Sequence, residues 1–170
     1  RRAGTRQAVR QDLAAVMVLG QRRGERHRGD RTAADRRDSD DLVVTGGANG
    51  LGFAIARLLA ERGAKIALLD IDKDKLRQAK ERLTQLGAEA STYEADVTDE
   101  ASIQRARDAV LKDHGNVQIL MNNAGIYLHK RRVTSEGFEY SFAVNHLAPF
   151  LLTNLLRDRL AASRSARVVM

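Results

Sequence analysis

The chain has no cysteine and no tryptophan. No apolar run approaches the roughly 18 residues that a membrane-spanning helix needs. The lack of cysteine excludes disulfides, a thiol nucleophile and cysteine-ligated metal, and it is compatible with a reducing, cytoplasmic setting. The lack of a long apolar run leaves no membrane span to expect. Lysine is missing from residues 1–41, which hold eleven arginines and seven acids, a net of +4. Residues 42–170 carry eighteen basic and fifteen acidic residues, a net of +3. The formal charge of +7 therefore belongs largely to the first quarter of the chain. His27, His114, His129 and His146 share no metal-ligand spacing, so no metal site is expected.

Residues 1–41 show little apolar periodicity and many arginines and aspartates, which predicts a disordered arm. "LAAVMVLG" (Leu13–Gly20) resembles a short signal-peptide core, but no small-residue cleavage site follows it. From Leu42 the texture changes. Apolar runs at 42–45, 65–70, 89–94, 117–122 and 167–170 read as strands. Helix-period segments at 51–61, 73–86, 100–114 and roughly 138–162 lie between them. Gly63 and Gly87 stand where left-handed helix ends are expected, and Thr98 or Asp99 is placed to cap the third helix. Strict alternation with short connections predicts an α/β fold, a doubly wound parallel sheet of about five strands in the order 3-2-1-4-5. Continuous apolar strands such as "IALL" and "VQILM" fit a sheet covered on both faces.

The glycines of "LVVTGGANGLG" (residues 42–52) then acquire a reason. In such a sheet a ligand sits at the carboxyl ends of the strands. The turn after the first strand must admit a pyrophosphate close to the backbone and aim a helix N-terminus at it, and side chains would obstruct both. Gly46, Gly50 and Gly52 form G-x-x-x-G-x-G in that place; a structural turn is the plainer alternative. Asp70 closes the second strand, where a carboxylate accepts hydrogen bonds from two ribose hydroxyls and repels a 2′-phosphate. No Arg or Lys lies within the glycine loop. The expected cofactor is NAD, with NADP disfavoured. The alternative for Asp70 is a helix cap, a role for which Asp72 is better placed.

"TGGANGLG", the strand-end Asp70, "ADV" (95–97), "NNAG" (122–125) and "VNH" (144–146) follow one another in this order. Together they resemble the short-chain dehydrogenase/reductase family over residues 42–170. The stretch 137–156 is similar to its retinol-dehydrogenase-like branch. The resemblance implies an oxidoreductase moving hydride between NAD and a small alcohol or ketone. It places Asn49 and Leu51 near the cofactor, Asp96 and Val97 against the adenine, and Asn122, Ala124 and Gly125 beneath the nicotinamide ribose. It makes Asn145 the helix-borne asparagine that organises a water in a proton relay. On the residues alone, Asn145 reads first as a satisfied core amide, and only the motif context favours the relay role. The apolar stripe Phe138, Phe142, Leu147, Phe150, Leu151 and Leu155 serves the core, and in the resembled family the equivalent helix often packs against a second copy.

Two departures qualify the resemblance. The family's catalytic serine and its Tyr-x-x-x-Lys follow the fifth strand, where this sequence stops at Met170. Four residues after Tyr93, Tyr127 and Tyr140 come Val97, Arg131 and Val144, so none supplies the motif. The arginine-rich lead has no counterpart in the family. A fragment without catalytic competence is therefore expected. The alternatives are a non-catalytic nucleotide-binding module, or nucleic-acid binding through the basic arm with the domain as scaffold.

Overall fold

The computed structural model describes residues 40–163 and 165–170, and the arm expected over 1–41 falls almost wholly outside them. Five strands form one parallel sheet: β1 Asp41–Thr45, β2 Lys65–Asp70, β3 Ala90–Glu94, β4 Ile119–Asn122 and β5 Arg167–Val169. Their order is β3-β2-β1-β4-β5, as the alternation predicted. The helices are α1 Gly50–Ala60, α2 Lys73–Gln85, α3 Glu100–His114, α4 Tyr140–Phe142 and α5 Ala148–Ala162.

Alternation along the strands divides the core into two layers. Val43, Ala67, Leu69 and Leu120 join Ile103, Ala106 and Val110 of α3 and Leu152, Leu156 and Leu160 of α5 in one buried cluster. Leu42, Val44, Ile66 and Leu68 are buried on the opposite face, the side of α1 and α2. There α1 buries Phe53, Ile55 and Ala56, and α2 buries Leu76, Ala79 and Leu83. The Arg82 guanidinium lies 4.3 Å above the Phe53 ring and ties these two helices together.

The helix ends follow the sequence signals. Gly63 (φ 91°) and Gly87 (φ 76°) are left-handed. Each donates to a carbonyl three residues back, and the next residue donates five back, from Ala64 to Leu59 and from Ala88 to Leu83. Asp72 caps α2 by accepting from Lys75 N at 3.0 Å. Asp99, not Thr98, caps α3 by accepting from Ala101 N at 3.0 Å.

Several boundaries shift by one or two residues, as at β4, which begins at Ile119 rather than at 117, and two differ for tertiary reasons. β1 begins at Asp41 rather than Leu42. Asp41 is buried: its carboxylate lies 3.1 Å from His114 Nδ1, and its amide donates to Gln118 Oε1 at 2.7 Å. The second difference is the helix expected from Phe138. Val133 and Glu139 instead form an isolated antiparallel bridge around a turn at Gly137 (φ 86°), which delays the helix to Tyr140. Glu139 then caps it, accepting from Ser141 N at 3.0 Å and Phe142 N at 2.7 Å. Between α4 and α5, residues Ala143–Leu147 form a π turn, with Ala148 N donating to Ala143 O. The rest of the expected helix is present.

Candidate functional site

The loop Gly46–Asn49 follows β1 and lies against the carboxyl ends of β2 and β4, and residues 45–48 are held from behind. Thr45 is buried, and its hydroxyl oxygen accepts from the amides of Asn123 (3.1 Å) and Ala124 (3.0 Å). The Asn123 amide group donates to the carbonyls of Thr45 and Gly46, both at 3.0 Å. Opposite it, Asp70 Oδ2 accepts from Ala48 N at 3.1 Å, while Oδ1 accepts from Asp72 N at 3.1 Å. Asp72 leaves Asp70 free of the capping role, and the hydrogen bond from the Lys75 side chain to Asp72 holds its carboxyl below the usual range.

The glycines of the loop answer to different demands. A Cβ at Gly52 would overlap the Gly46 carbonyl and the Asn123 side chain. A Cβ at Gly46 would press on Ala124 Cα at 3.0 Å, and Gly46 also has φ +62°. Gly47, which the sequence reading did not single out, faces Leu68 at 2.9 Å. These three permit close packing between the loop, β2 and β4. Gly50 differs: it is exposed, left-handed at φ +58°, and has open space where its Cβ would be. It marks the open side of the cradle, at the N-terminus of α1, with exposed Asn49 and Leu51 on either side.

The remaining expected residues lie around the same strand ends. Asp96 and Val97 are half-buried after β3. Asp96 Oδ1 accepts from both the amide (2.8 Å) and the hydroxyl (2.7 Å) of Thr98, which fixes the turn. Val97 lines a small cavity with Thr45, Leu69, Ala124 and Leu152. Asn122 is buried, and its amide donates to Thr153 Oγ1 at 3.3 Å, so its side chain turns to α5 rather than to the glycine loop. Gly125 is exposed, with Asn145 Oδ1 at 3.6 Å from where its Cβ would stand.

Asn145 sits in the π turn and makes two bonds to one residue. Its Oδ1 accepts from Ile126 N and its Nδ2 donates to Ile126 O, both at 2.8 Å. The side-chain amide therefore anchors the loop after β4 to the helix. The reading as a satisfied core amide is half right: the group is satisfied, but the residue is exposed.

The three tyrosines are separated. Tyr93 is buried, donates to Asp113 Oδ2 at 2.9 Å, and its ring stands edge-on to His114. Burial first, then the Asp113 carboxylate, pushes its phenol well above the ordinary range, opposite to what a general base at neutral pH needs. Tyr140 lies under the Arg132 guanidinium at 4.8 Å, and Tyr127 is 81% exposed. Among the described residues, no helix is long and apolar enough to cross a membrane.

Comparison with known proteins agrees with this geometry. The sequence profile described as short chain dehydrogenase matches residues 41–170. Retinol dehydrogenase 12 of Mus musculus is 38% identical over 130 residues, covering 75% of this chain and 41% of that protein. Retinol dehydrogenase 13 of Homo sapiens is 37% identical over 130 residues, covering 75% of this chain and 39% of that protein. The chain thus spans about two fifths of the length of these curated relatives. Among solved structures, a metagenomic short-chain oxidoreductase in complex with NADP superposes with a TM-score of 0.69 at 30% identity, covering 76% of this chain and 60% of that one. NAD+-bound xylitol dehydrogenase gives 0.66 at 30% identity, covering 76% and 51%.

Proposed function

Since the chain belongs to the short-chain dehydrogenase family, on its retinol-dehydrogenase-like side, we propose that it is the dinucleotide-binding part of an NAD-dependent oxidoreductase acting on a small alcohol or ketone. The observation that carries this reading is Asp70. Its carboxylate stands at the end of β2 and is bonded to the glycine loop through Ala48 N at 3.1 Å. The residues present fit a dinucleotide. The open space at Gly50 lets a pyrophosphate approach the first amides of α1, and the loop offers no side-chain cation to a 2′-phosphate. When bound, the nicotinamide would supply the hydride acceptor or donor. The chain's own residues would bind and orient it. Gly46, Asn49, Gly50, Leu51 and Gly52 take the pyrophosphate side, Asp70 the adenosine ribose, and Asp96 and Val97 the adenine edge. Ala124 and Gly125 take the nicotinamide ribose, with Asn122 supporting them from the side of α5.

Asn145 has its side chain committed to Ile126. Its part in any proton relay would be to hold the β4 loop and the π turn in register. The 170 residues contain no Tyr-x-x-x-Lys, which favours binding without turnover for this chain taken alone. The exposed Phe142, stacked on His146 at 5.0 Å, and the exposed Phe150 support self-association through this helix. Sedimentation of wild type beside Phe150→Glu tests that point: the mass should fall in the variant, and a monomer in both would reject it.

The test of the main reading is a titration with NADH followed by nicotinamide fluorescence, which no tryptophan in the chain perturbs. We expect saturable enhancement, weaker binding of NADPH, and loss of binding in Asp70→Ala. NADPH binding as tight as NADH would reject NAD selectivity, and binding of neither would reject the cofactor itself. Oxidation of alcohols with NAD should be absent, and measurable turnover would show catalysis without the family's tyrosine.

A further inference from the structure

The chain contains six asparagines, and only Asn49 is followed by glycine. Asn49 and Gly50 are both exposed, at the lip of the cradle. An N-cap side chain usually reaches the amide two or three residues on. Asn49 instead folds back on its immediate neighbour, with Gly50 N donating to Asn49 Oδ1 at 2.8 Å. That contact brings the Gly50 nitrogen alongside the side-chain carbonyl carbon, Cγ. Gly50 has no Cβ to obstruct the approach, and nothing else lies within 4 Å of where one would be. The Gly50 amide is also the first of α1, so it has no helical acceptor to lose. The positive end of the helix dipole favours loss of its proton.

We propose that Asn49–Gly50 is a spontaneous modification site that disables the phosphate cradle with age. The Gly50 nitrogen attacks Asn49 Cγ, forming a new C–N bond. The Cγ–Nδ2 bond breaks, and ammonia leaves with the proton from Gly50. Water then opens the cyclic imide. Addition at Cγ gives aspartate; addition at the main-chain carbonyl gives isoaspartate. No oxidant or reductant is involved. Either product puts a carboxylate where the loop receives a pyrophosphate, and the isoaspartate also lengthens the main chain by one carbon at the start of α1. The loss of function, though not the chemistry, rests on the cofactor reading above.

The other asparagines lack one or more of these features. Asn122 is buried and is followed by Asn123, while Asn145 is followed by His146 and has both amide atoms bonded to Ile126. Incubation of the chain at mildly alkaline pH, with timed peptide mapping by mass spectrometry and isoaspartyl-methyltransferase labelling, tests the proposal. The amide of Asn49 should be lost ahead of the other five, and saturating NAD should slow that loss. Retention of the Asn49 amide after another asparagine has converted would overturn it. NADH affinity should fall in step with conversion, and Asn49→Asp should bind about tenfold more weakly than fresh wild type. Asn49→Ser, which keeps a capping oxygen but has no amide, should show no decline on ageing. An equal decline in that variant would overturn the functional part. If fresh protein binds no NADH while Asn49 still converts, the cofactor reading fails and the modification stands.

Discussion

The carboxylate of Asp70 and the amide of Ala48 meet at 3.1 Å, joining the end of β2 to the middle of the glycine loop across 22 residues of sequence. One oxygen therefore holds the loop while the other fixes the entry to α2 through Asp72 N. Asp70→Ala should release both amides. We expect a stability loss of about 1–3 kcal/mol, from two unpartnered N–H groups, together with loss of NADH binding. Asp70→Asn keeps two polar atoms but can accept at only one, so it should fall between wild type and alanine in both thermal melting and affinity.

Asn145 and Ile126 form the second such tie. Asn145→Leu should lose about 1 kcal/mol, because the two exposed hydrogen bonds to Ile126 pass to water. Asn145→Asp keeps the acceptor for Ile126 N but faces Ile126 O with an oxygen, so it should be destabilised and melt lower as pH rises above the carboxylate range. Hydrogen exchange of the Ile126 amide, faster in both variants, reports the local opening directly.

Gly52 and Gly50 should respond differently to the same substitution. Gly52→Ala forces a Cβ against the Gly46 carbonyl and the Asn123 side chain, and overpacking of that kind costs about 1–3 kcal/mol. Gly50→Ala meets open space, and its penalty is the left-handed backbone alone, about 1–2 kcal/mol. Thermal melting should therefore rank Gly52→Ala at or below Gly50→Ala. In Gly52→Ala the shift should extend to the amides of Asn123 and Ala124, visible by NMR.

Tyr93 predicts an alkaline limit. Burial and the Asp113 carboxylate raise its phenol above the ordinary value of 10.0, so the folded chain keeps a proton that the unfolded chain releases. The stability it contributes is full below pH 10 and declines as pH rises beyond that. Tyr93→Phe should lose about 1 kcal/mol at neutral pH with the hydrogen bond to Asp113, and should flatten the fall above pH 10 in denaturant midpoints.

Much of this arrangement is legible in the residues. The alternation of apolar runs and helix-period segments gave the strands, their order and the helix ends at Gly63 and Gly87. Local chemistry was enough for those, because caps and continuous apolar strands act over a few residues. Features with distant partners were less visible. Asp41 ends an acidic run and reads as part of the tail, yet His114, 73 residues away, buries it in the sheet. Asn122 and Asn123 look alike in "NNAG", but successive residues at a strand end face opposite ways. Asn122 turns to Thr153, and Asn123 holds the glycine loop. The signal available was that two adjacent side-chain amides at a strand end need two separate sets of partners. The π turn left no trace in the apolar pattern of 138–162, since a tie from Asn145 to a residue on another segment accompanies it.

That π turn is in effect an inserted residue that the helix has absorbed without breaking. An extra residue in one turn rotates everything downstream by about 100° relative to an uninterrupted α-helix. Phe142 and Leu152 thus belong to stripes set by two different phases of one helix, the first exposed and the second 2% exposed in the core. Deleting a single residue between Ala143 and Leu147 would restore a regular helix and leave Leu152, Leu156 and Leu160 on the sheet, whereas straightening the turn at its full length would swing all three out together. By this measure the turn is the one place in this helix where the loss of a residue leaves the core stripe in phase.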